Sequence, residues 1–443
     1  MKIGKIFLTL IMLSFFCNNG LAQKKLTLQE AITIALNHNT NAVINANNLK
    51  TSEANVKSAY GNLIPSLNMG ANWGWQRISD NGGETQLNYF GEPQIIPPSR
   101  TDSRNYSFSV NGNVTLFDGL SNISTISQAK GNLTAARFDF EKLKQDIILQ
   151  TVTYYASIIN AEKLLNFQGE DLKYNNSMLA KTKEMFNLKM ITISDVYAQE
   201  VQTANSEFSY FQAKNNFEKS KIAILNYLSM DVNGNYTFEL DNAGKFDKTL
   251  INESYEDLLN EALNNRQDYK SQKLKLESAE YQLTIAHGGL FPQLNGNYNF
   301  STGATQPSAL FNRRIYSVGL TLSLPIFSHW NTDYSIQLAK VQIENNTENL
   351  SALERQVKTD VKNAMLDLQT SKKQLGASDT AVISAKANWK IKQESYTLGL
   401  ATFIDQQLAY RDYLQAEYNR INQEQVYLVK QYTLLNALGR VPK

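Results

Sequence analysis

The chain is an internal duplication, and this limits its fold more than any other feature, because what one half builds the other must build again. Ala35-Leu36-Asn37 recurs as Ala262-Leu263-Asn264, and Ile64-Pro65-Ser66-Leu67-Asn68 recurs as Phe291-Pro292-Gln293-Leu294-Asn295, both at an offset of 227. Further on the offset is 210: Leu116-Phe117 matches Ile326-Phe327, Ala129 matches Ala339, and Asn226-Tyr227-Leu228-Ser229 matches Asn436-Ala437-Leu438-Gly439. The same offset carries Leu188-Lys189-Met190-Ile191-Thr192-Ile193-Ser194-Asp195 onto Leu398-Gly399-Leu400-Ala401-Thr402-Phe403-Ile404-Asp405. Two constant offsets that change once describe two repeats, 23–230 and 255–440, joined by a linker over 231–254, with a 17-residue length difference between Asn68 and Leu116.

Each repeat reads as the same string of parts. Leu28, Ile32, Leu36, Val43 and Leu49 recur at helical spacing, which predicts one helix from Leu28 to about Asn62, N-capped by Thr27 with Glu30 three residues on. Pro65 ends it. Strands then follow near 66–77 and 104–117, and in the second repeat near 293–302 and 314–325. Along each, apolar residues such as Leu67, Met69, Trp73 and Trp75 alternate with Asn, Ser, Thr or Gln, the period-two pattern of a sheet with one wet face. The stretch from Asp80 to Arg100 reads as a polar loop. From Gly119 to Leu188 there is no proline, and Leu133, Ala136, Phe140, Leu143 and Ile147 keep a three-four step. About 70 residues at 1.5 Å each make a helix of roughly 105 Å, coiled-coil length. A return helix of about 36 residues, matched by one at the start of each repeat, completes the unit.

The N-terminus carries Lys2 and Lys5, an apolar run from Ile6 to Phe16, and Gly20-Leu21-Ala22, which reads as a secretory signal peptide over 1–22 with Gln23 the mature start. The only cysteine, Cys17, lies inside it behind Phe16, so neither lipid attachment nor disulfide or thiol chemistry is expected. Removing the two signal lysines leaves 41 basic residues against 41 acidic ones, a neutral chain that does not suit nucleic acid. His38, His287 and His329 stand apart with no recurring acid or nucleophile, so no enzyme, metal site or cofactor is expected.

Strands of about ten residues with an aromatic apolar face and a polar opposite face fit a lipid-facing barrel wall. The competing reading is a half-buried hairpin of a soluble periplasmic coiled-coil adaptor or scaffold. Four strands cannot close a barrel, and an open edge is not tolerated in lipid, so closure needs several chains. A trimer supplies 12 strands, enough for an aqueous lumen. The expected fold is mainly α with a small β part: a long coiled-coil α-helical barrel continuing a 12-stranded transmembrane β-barrel formed by a trimer.

With Pro65 and Pro292 before the first strand of each hairpin and Leu398-Gly399-Leu400-Ala401-Thr402-Phe403-Ile404-Asp405 at a helical turn, the chain resembles the TolC-type outer-membrane efflux family from Lys25 to Arg440. The resemblance implies an outer-membrane, homotrimeric exit duct of a tripartite efflux or type I secretion system, working with a periplasmic membrane-fusion adaptor and an inner-membrane pump. Two sets of residues follow from it. Leu188, Lys189 and Met190 with Leu398, Gly399, Leu400 and Ala401 would dock the adaptor, although the apolar members would equally close the hairpin ends by packing on one another. Gly399 suits a turn of positive φ; Lys189 at the same place implies a different turn or a strained one. Asp405 matches a pore-facing gate acid, and Tyr396 matches a latch tyrosine that would bond to Asp195. Each aspartate would equally serve as a first-turn cap. The chain departs from the family pattern at Leu408, where some members have a second acid, and at Ala401, where they have a basic residue.

Overall fold

The computed structural model describes residues 24–239 and 253–440. The signal segment, Cys17 and much of the linker lie outside the described residues. In chain order the elements are β1 (Lys24–Thr27), α1 (Leu28–His38), α2 (Thr40–Gly61), β2 (Ser66–Asp80), β3 (Thr85–Leu87), β4 (Pro93–Ile95), β5 (Ser99–Phe117), α3 (Ser121–Asn187), α4 (Ile193–Tyr227) and β6 (Tyr236–Glu239). The second repeat gives α5 (Tyr255–Asn265), α6 (Gln267–Gly288), β7 (Gln293–Ala304), β8 (Arg314–Ser323), α7 (Asn331–Thr397) and α8 (Phe403–Ala437).

The duplication is carried through to helix length: α3 and α7 have 67 residues each, α4 and α8 have 35 each. The expected single helix over Leu28–Asn62 is instead two, of 11 and 22 residues, and the second repeat breaks likewise. Asn39 makes the break. Its backbone is extended (φ −60°, ψ 130°). Its side-chain oxygen accepts from the Asn41 N–H at 2.9 Å, and its amide nitrogen donates to the Tyr227 carbonyl at 3.2 Å. A short polar side chain that satisfies the backbone locally competes with helix continuation. At the equivalent position Arg266 is buried and extended, held by Asp268 at 2.6 Å and Asp360 at 2.8 Å.

The helical residues and the sheet fall into two compact units, one of residues 24–48, 137–271 and 351–440, the other of 49–136 and 272–350. The units therefore do not coincide with the repeats: each takes parts of both. In the first unit each repeat has a core of its own, with Tyr432 of the second repeat also buried in that of the first. Leu28, Ala31, Ile32 and Ala35 pack with Val152, Tyr155, Ile158, Ile224, Leu225 and Leu228. Leu258, Leu259 and Ala262 pack with Val357, Val361, Leu368, Leu434 and Leu438. The segment read as pure linker supplies β6, which pairs in parallel with β1. Buried Tyr155 donates to the Leu26 carbonyl at 2.7 Å and also reaches the Glu239 carbonyl, so one hydroxyl ties both strands to α3.

The second unit holds an antiparallel sheet in the order β2-β5-β7-β8. The inter-repeat pair β5–β7 joins the two hairpins. Register sorts the side chains: Met69, Val110, Phe300 and Tyr316 lie in one cross-strand row, and Asn68, Asn111, Asn299 and Ser317 in the next. One face is therefore apolar and the other polar. The apolar face is uncovered, with Met69, Val318 and Leu320 each more than 70% exposed. The strands of the first hairpin are longer than the expected ten or so residues, at 15 and 19, and run on into the Asp80–Arg100 stretch, which itself folds as the small hairpin β3–β4.

Replacing Tyr155 by Phe leaves the buried Leu26 carbonyl and the half-buried Glu239 one without their shared donor. We expect it to cost about 1–3 kcal/mol, read as a lower unfolding midpoint of the detergent-solubilised protein.

Candidate functional site: the helical tips

The two tip turns are built by one device. Met190 N–H donates to the Met185 carbonyl at 2.9 Å and Lys189 N–H to Phe186 at 2.8 Å. Leu400 N–H donates to Ser395 at 2.7 Å and Gly399 N–H to Tyr396 at 3.1 Å. This 6→1, 5→2 pair needs a residue of positive φ just past the helix. Gly399 takes it at φ +74° and Lys189 at φ +60°. Of the two outcomes open to Lys189, the structure takes the strained one: the same turn with a side chain that disfavours it.

Thr192 and Thr402 then start the return helices. The Asp195 carboxylate accepts from the Thr192 N–H at 3.0 Å and its hydroxyl at 2.8 Å. Asp405 does the same for Thr402 at 3.2 and 2.8 Å, while its own N–H donates to the Thr402 hydroxyl at 3.1 Å. Both acids are therefore capping residues. The Thr402 hydroxyl and N–H, aided by the charge of Lys392, hold the Asp405 carboxyl below the usual carboxylate range.

The apolar tip residues do not close on one another within the chain: Leu188, Met190, Leu398 and Leu400 are 66–79% exposed. Nor is the expected Tyr396–Asp195 bond made within the chain. The Tyr396 hydroxyl is buried without a hydrogen-bond partner, its ring against Phe403 at 5.9 Å. Burial raises its pKa, and the charge of nearby Asp195 raises it further. The Asp195 carboxylate is turned instead to its cap.

A group that sequence reading missed lies deeper in the same unit. Tyr410 donates to Asp171 at 2.6 Å, and Asn175 donates to Asp171 at 2.9 Å and to Ser206 at 2.8 Å. Gln199 donates to the Asn175 side chain at 3.1 Å, and Gln407 donates to Gln199 at 2.9 Å. Asp171, Asn175, Gln199, Ser206 and Tyr410 are all buried. Gln406 donates to Tyr174 at 2.7 Å, and Tyr174 lies against Trp389 and Tyr410. Burial and the Asp171 charge push the Tyr410 hydroxyl far up in pKa. This knot ties the α3–α4 pair to α8 with polar bonds where a coiled coil ordinarily uses apolar knobs. A signal was present: at offset 210, Asp171, Asn175, Gln199 and Ser206 correspond to Ala381, Ala385, Ala409 and Ala416. A polar-for-alanine exchange four times over marks where the duplication diverged. Among the described residues no group of His, Cys, Asp and Glu is placed to hold a metal.

Exposed apolar tips, capped acid-bearing turns and a four-stranded sheet with an uncovered apolar face are the parts of a membrane-inserted duct. The chain matches the family described as outer membrane efflux protein over residues 31–229 and 258–440, and it belongs to that family. It is an outer-membrane efflux channel that extends into the periplasm, and not an enzyme. It is 24% identical over 402 residues to the outer membrane protein TolC of Salmonella enteritidis, covering 87% of this chain and 76% of that one. In fold it is similar to a membrane protein from Pseudomonas aeruginosa (TM-score 0.80, 16% identity, 93% of each chain). It is likewise similar to the outer membrane protein VceC of Vibrio cholerae (TM-score 0.77, 16% identity, 94% of this chain and 97% of that one). The soluble periplasmic scaffold is not favoured.

Two variants probe the tip and the knot. Lys189→Gly relieves the left-handed strain and should raise the unfolding midpoint by the equivalent of about 1 kcal/mol. Tyr410→Phe takes a donor from a buried carboxylate and should lower it by about 1–3 kcal/mol; equal midpoints for wild type and variant would refute that role.

Proposed function

We propose that three copies of the chain assemble into one duct, their sheets closing a 12-stranded barrel in the outer membrane and their long helices lining the periplasmic tunnel. The observation that carries this reading is the sheet itself. Among the described residues β2 and β8 each have one neighbour only, so the sheet ends on two unpaired edges, and its apolar face is uncovered along its length. Both features are untenable in lipid for one chain and are removed together by edge-to-edge closure. Met69, Val318 and Leu320 then face acyl chains, and Asn68, Asn111 and Asn299 face water.

At the helical tips, Leu188, Lys189, Met190, Leu398, Gly399, Leu400 and Ala401 form the surface that docks a periplasmic adaptor, which couples the duct to an inner-membrane pump. The exposure of the four large apolar residues supports this, since none of the described residues of their own chain covers them. Asp405 sits in the turn nearest the mouth, where three copies would make an anionic ring that favours cations and narrows the opening. Asp195 and Tyr396 form the neighbouring latch, in which Tyr396 carries a buried hydroxyl that no hydrogen bond satisfies among the described residues.

Planar-bilayer recording on purified trimers tests the gate. Asp405→Asn keeps a capping side chain and removes the charge. It should lower cation selectivity toward unity and raise conductance, while Asp405→Ala should also loosen the turn. Because the Asp405 pKa is depressed, its charge and its cap are both present above the ordinary carboxylate pKa. They are lost only as pH falls through that lowered value. Wild-type selectivity should therefore persist at about pH 5. Selectivity unchanged in Asp405→Asn would remove Asp405 from the gate.

A further inference from the structure

The apolar face of the sheet does not fade evenly at its two ends. Between Lys57 and Arg77, between Arg104 and Lys130, between Lys275 and Arg313, and between Arg314 and Lys340 there is no lysine or arginine. Every basic residue of the two hairpins therefore lies at the loop end, away from the helices, and every one is arginine.

Register puts most of them on the apolar face. Trp73 stands opposite Tyr106, Trp75 opposite Arg104, Arg77 opposite Asp102, and Ser79 opposite Arg100. Directly paired residues share a face, and Trp73, Trp75 and Tyr106 continue the Leu67, Met69 and Val110 side. On β8, Arg314 follows Tyr316 and Val318 on that same face, in the row of Thr302 and Phe108. Moving outward, the face thus runs from aliphatic residues through a band of Trp and Tyr to arginine. Arg77 is fixed in place: it makes a two-pronged pair with Asp102 at 2.7 and 2.9 Å, its guanidinium 5.2 Å from the Trp75 ring. Arg100, Arg104 and Arg314 are exposed, and Asp102 is the one carboxylate among them on this face. Asp80 lies on the polar face and Glu84 and Glu92 lie in the loop beyond.

Aromatic rings settle at the level of lipid headgroups, and the guanidinium fork matches phosphate better than an ammonium does. The helices extend into the periplasm, so this end of the sheet meets the outer leaflet. We propose that Arg100, Arg104 and Arg314, buttressed by the Arg77–Asp102 pair, form a collar that binds the phosphates of lipid A in that leaflet. The proposal rests on the reading of the sheet as the membrane-crossing wall. It gives each subunit three exposed guanidinium groups at headgroup depth, that of Arg314 steadied by donating from Nε to the Phe311 carbonyl at 3.1 Å, and their charge complements a doubly phosphorylated lipid.

The test uses full-length protein purified in detergent as assembled trimers, titrated with diphosphorylated lipid A while following the temperature at which the trimer dissociates in SDS. A saturable rise in that temperature is expected. The combined Arg100→Gln, Arg104→Gln, Arg314→Gln variant should need about tenfold more lipid for half-saturation. The combined Arg→Lys variant should fall in between, because it keeps charge and loses the fork. Dephosphorylated lipid A and inorganic phosphate should give no saturable rise. An equal rise with dephosphorylated lipid, an equal rise with inorganic phosphate alone, or an unchanged half-saturation in the Gln variant would each overturn the collar. If the triple variant does not assemble, Arg104→Gln alone is read in the same titration. A wild-type protein that never forms membrane trimers overturns the barrel reading and the collar with it, whereas trimers indifferent to lipid A overturn the collar alone.

Discussion

A backbone N–H or C=O in hydrocarbon must find a partner within protein, and the rest of this molecule follows from how that demand is met. The four strands satisfy one another from β2 to β8 and leave two edges open. A soluble protein would blunt such edges with charge or cover them. Here the edge strands are instead the most apolar, carrying Leu67, Met69, Trp73 and Trp75 on one side and Val318, Leu320 and Leu322 on the other. Edges of that kind are a demand for more copies, which gives the duplication its sense. Two hairpins per chain joined through β5–β7 supply twice the wall that one repeat would.

The same economy shapes the helices. Each repeat builds a core from its short first helix, its long helix and its return helix, with residues at matching positions: Ala31 and Leu258, Ile147 and Val357, Ile224 and Leu434. The repeats diverge where they must play different parts. Alanines of α7 and α8 have buried polar counterparts in α3 and α4, and Tyr410 reaches across to Asp171. Buried polar bonds are weak evidence for extra stability, but they select one registry of helices over others because a slipped arrangement leaves them unpaired. The knot thereby fixes the registry of α3, α4 and α8 where they pack.

At the tips, local chemistry and assembly compete for the same residues. Asp195 and Asp405 spend their hydrogen-bonding capacity on Thr192 and Thr402, which fixes where each carboxylate points and, for Asp405, keeps it ionised. Tyr396 has no such local partner, and its buried, unsatisfied hydroxyl is the kind of group that native structures rarely leave unexplained.

Much of this was legible in residue order. The two offsets, the period-two faces of the four strands, the 67-residue helices, the Thr27 cap and the Gly399 turn are all written within a few residues of one another, since a helix reads i, i+3, i+4, a strand i, i+2, and a cap i, i+3. The break at Asn39 was not legible, because an Asn in a helical pattern becomes a terminus only when Tyr227 offers its carbonyl 188 residues away. The β1–β6 pair, the path of the Lys189 turn and the missing partner of Tyr396 were equally hidden. The polar knot was half visible as a failure of the repeat, but Tyr410 and Asp171 stand 239 positions apart. Local periodicity determined which elements form and which face of each is apolar. Only the tertiary structure decided which polar groups meet, because a hydrogen bond depends on positions in space that no short stretch of sequence encodes.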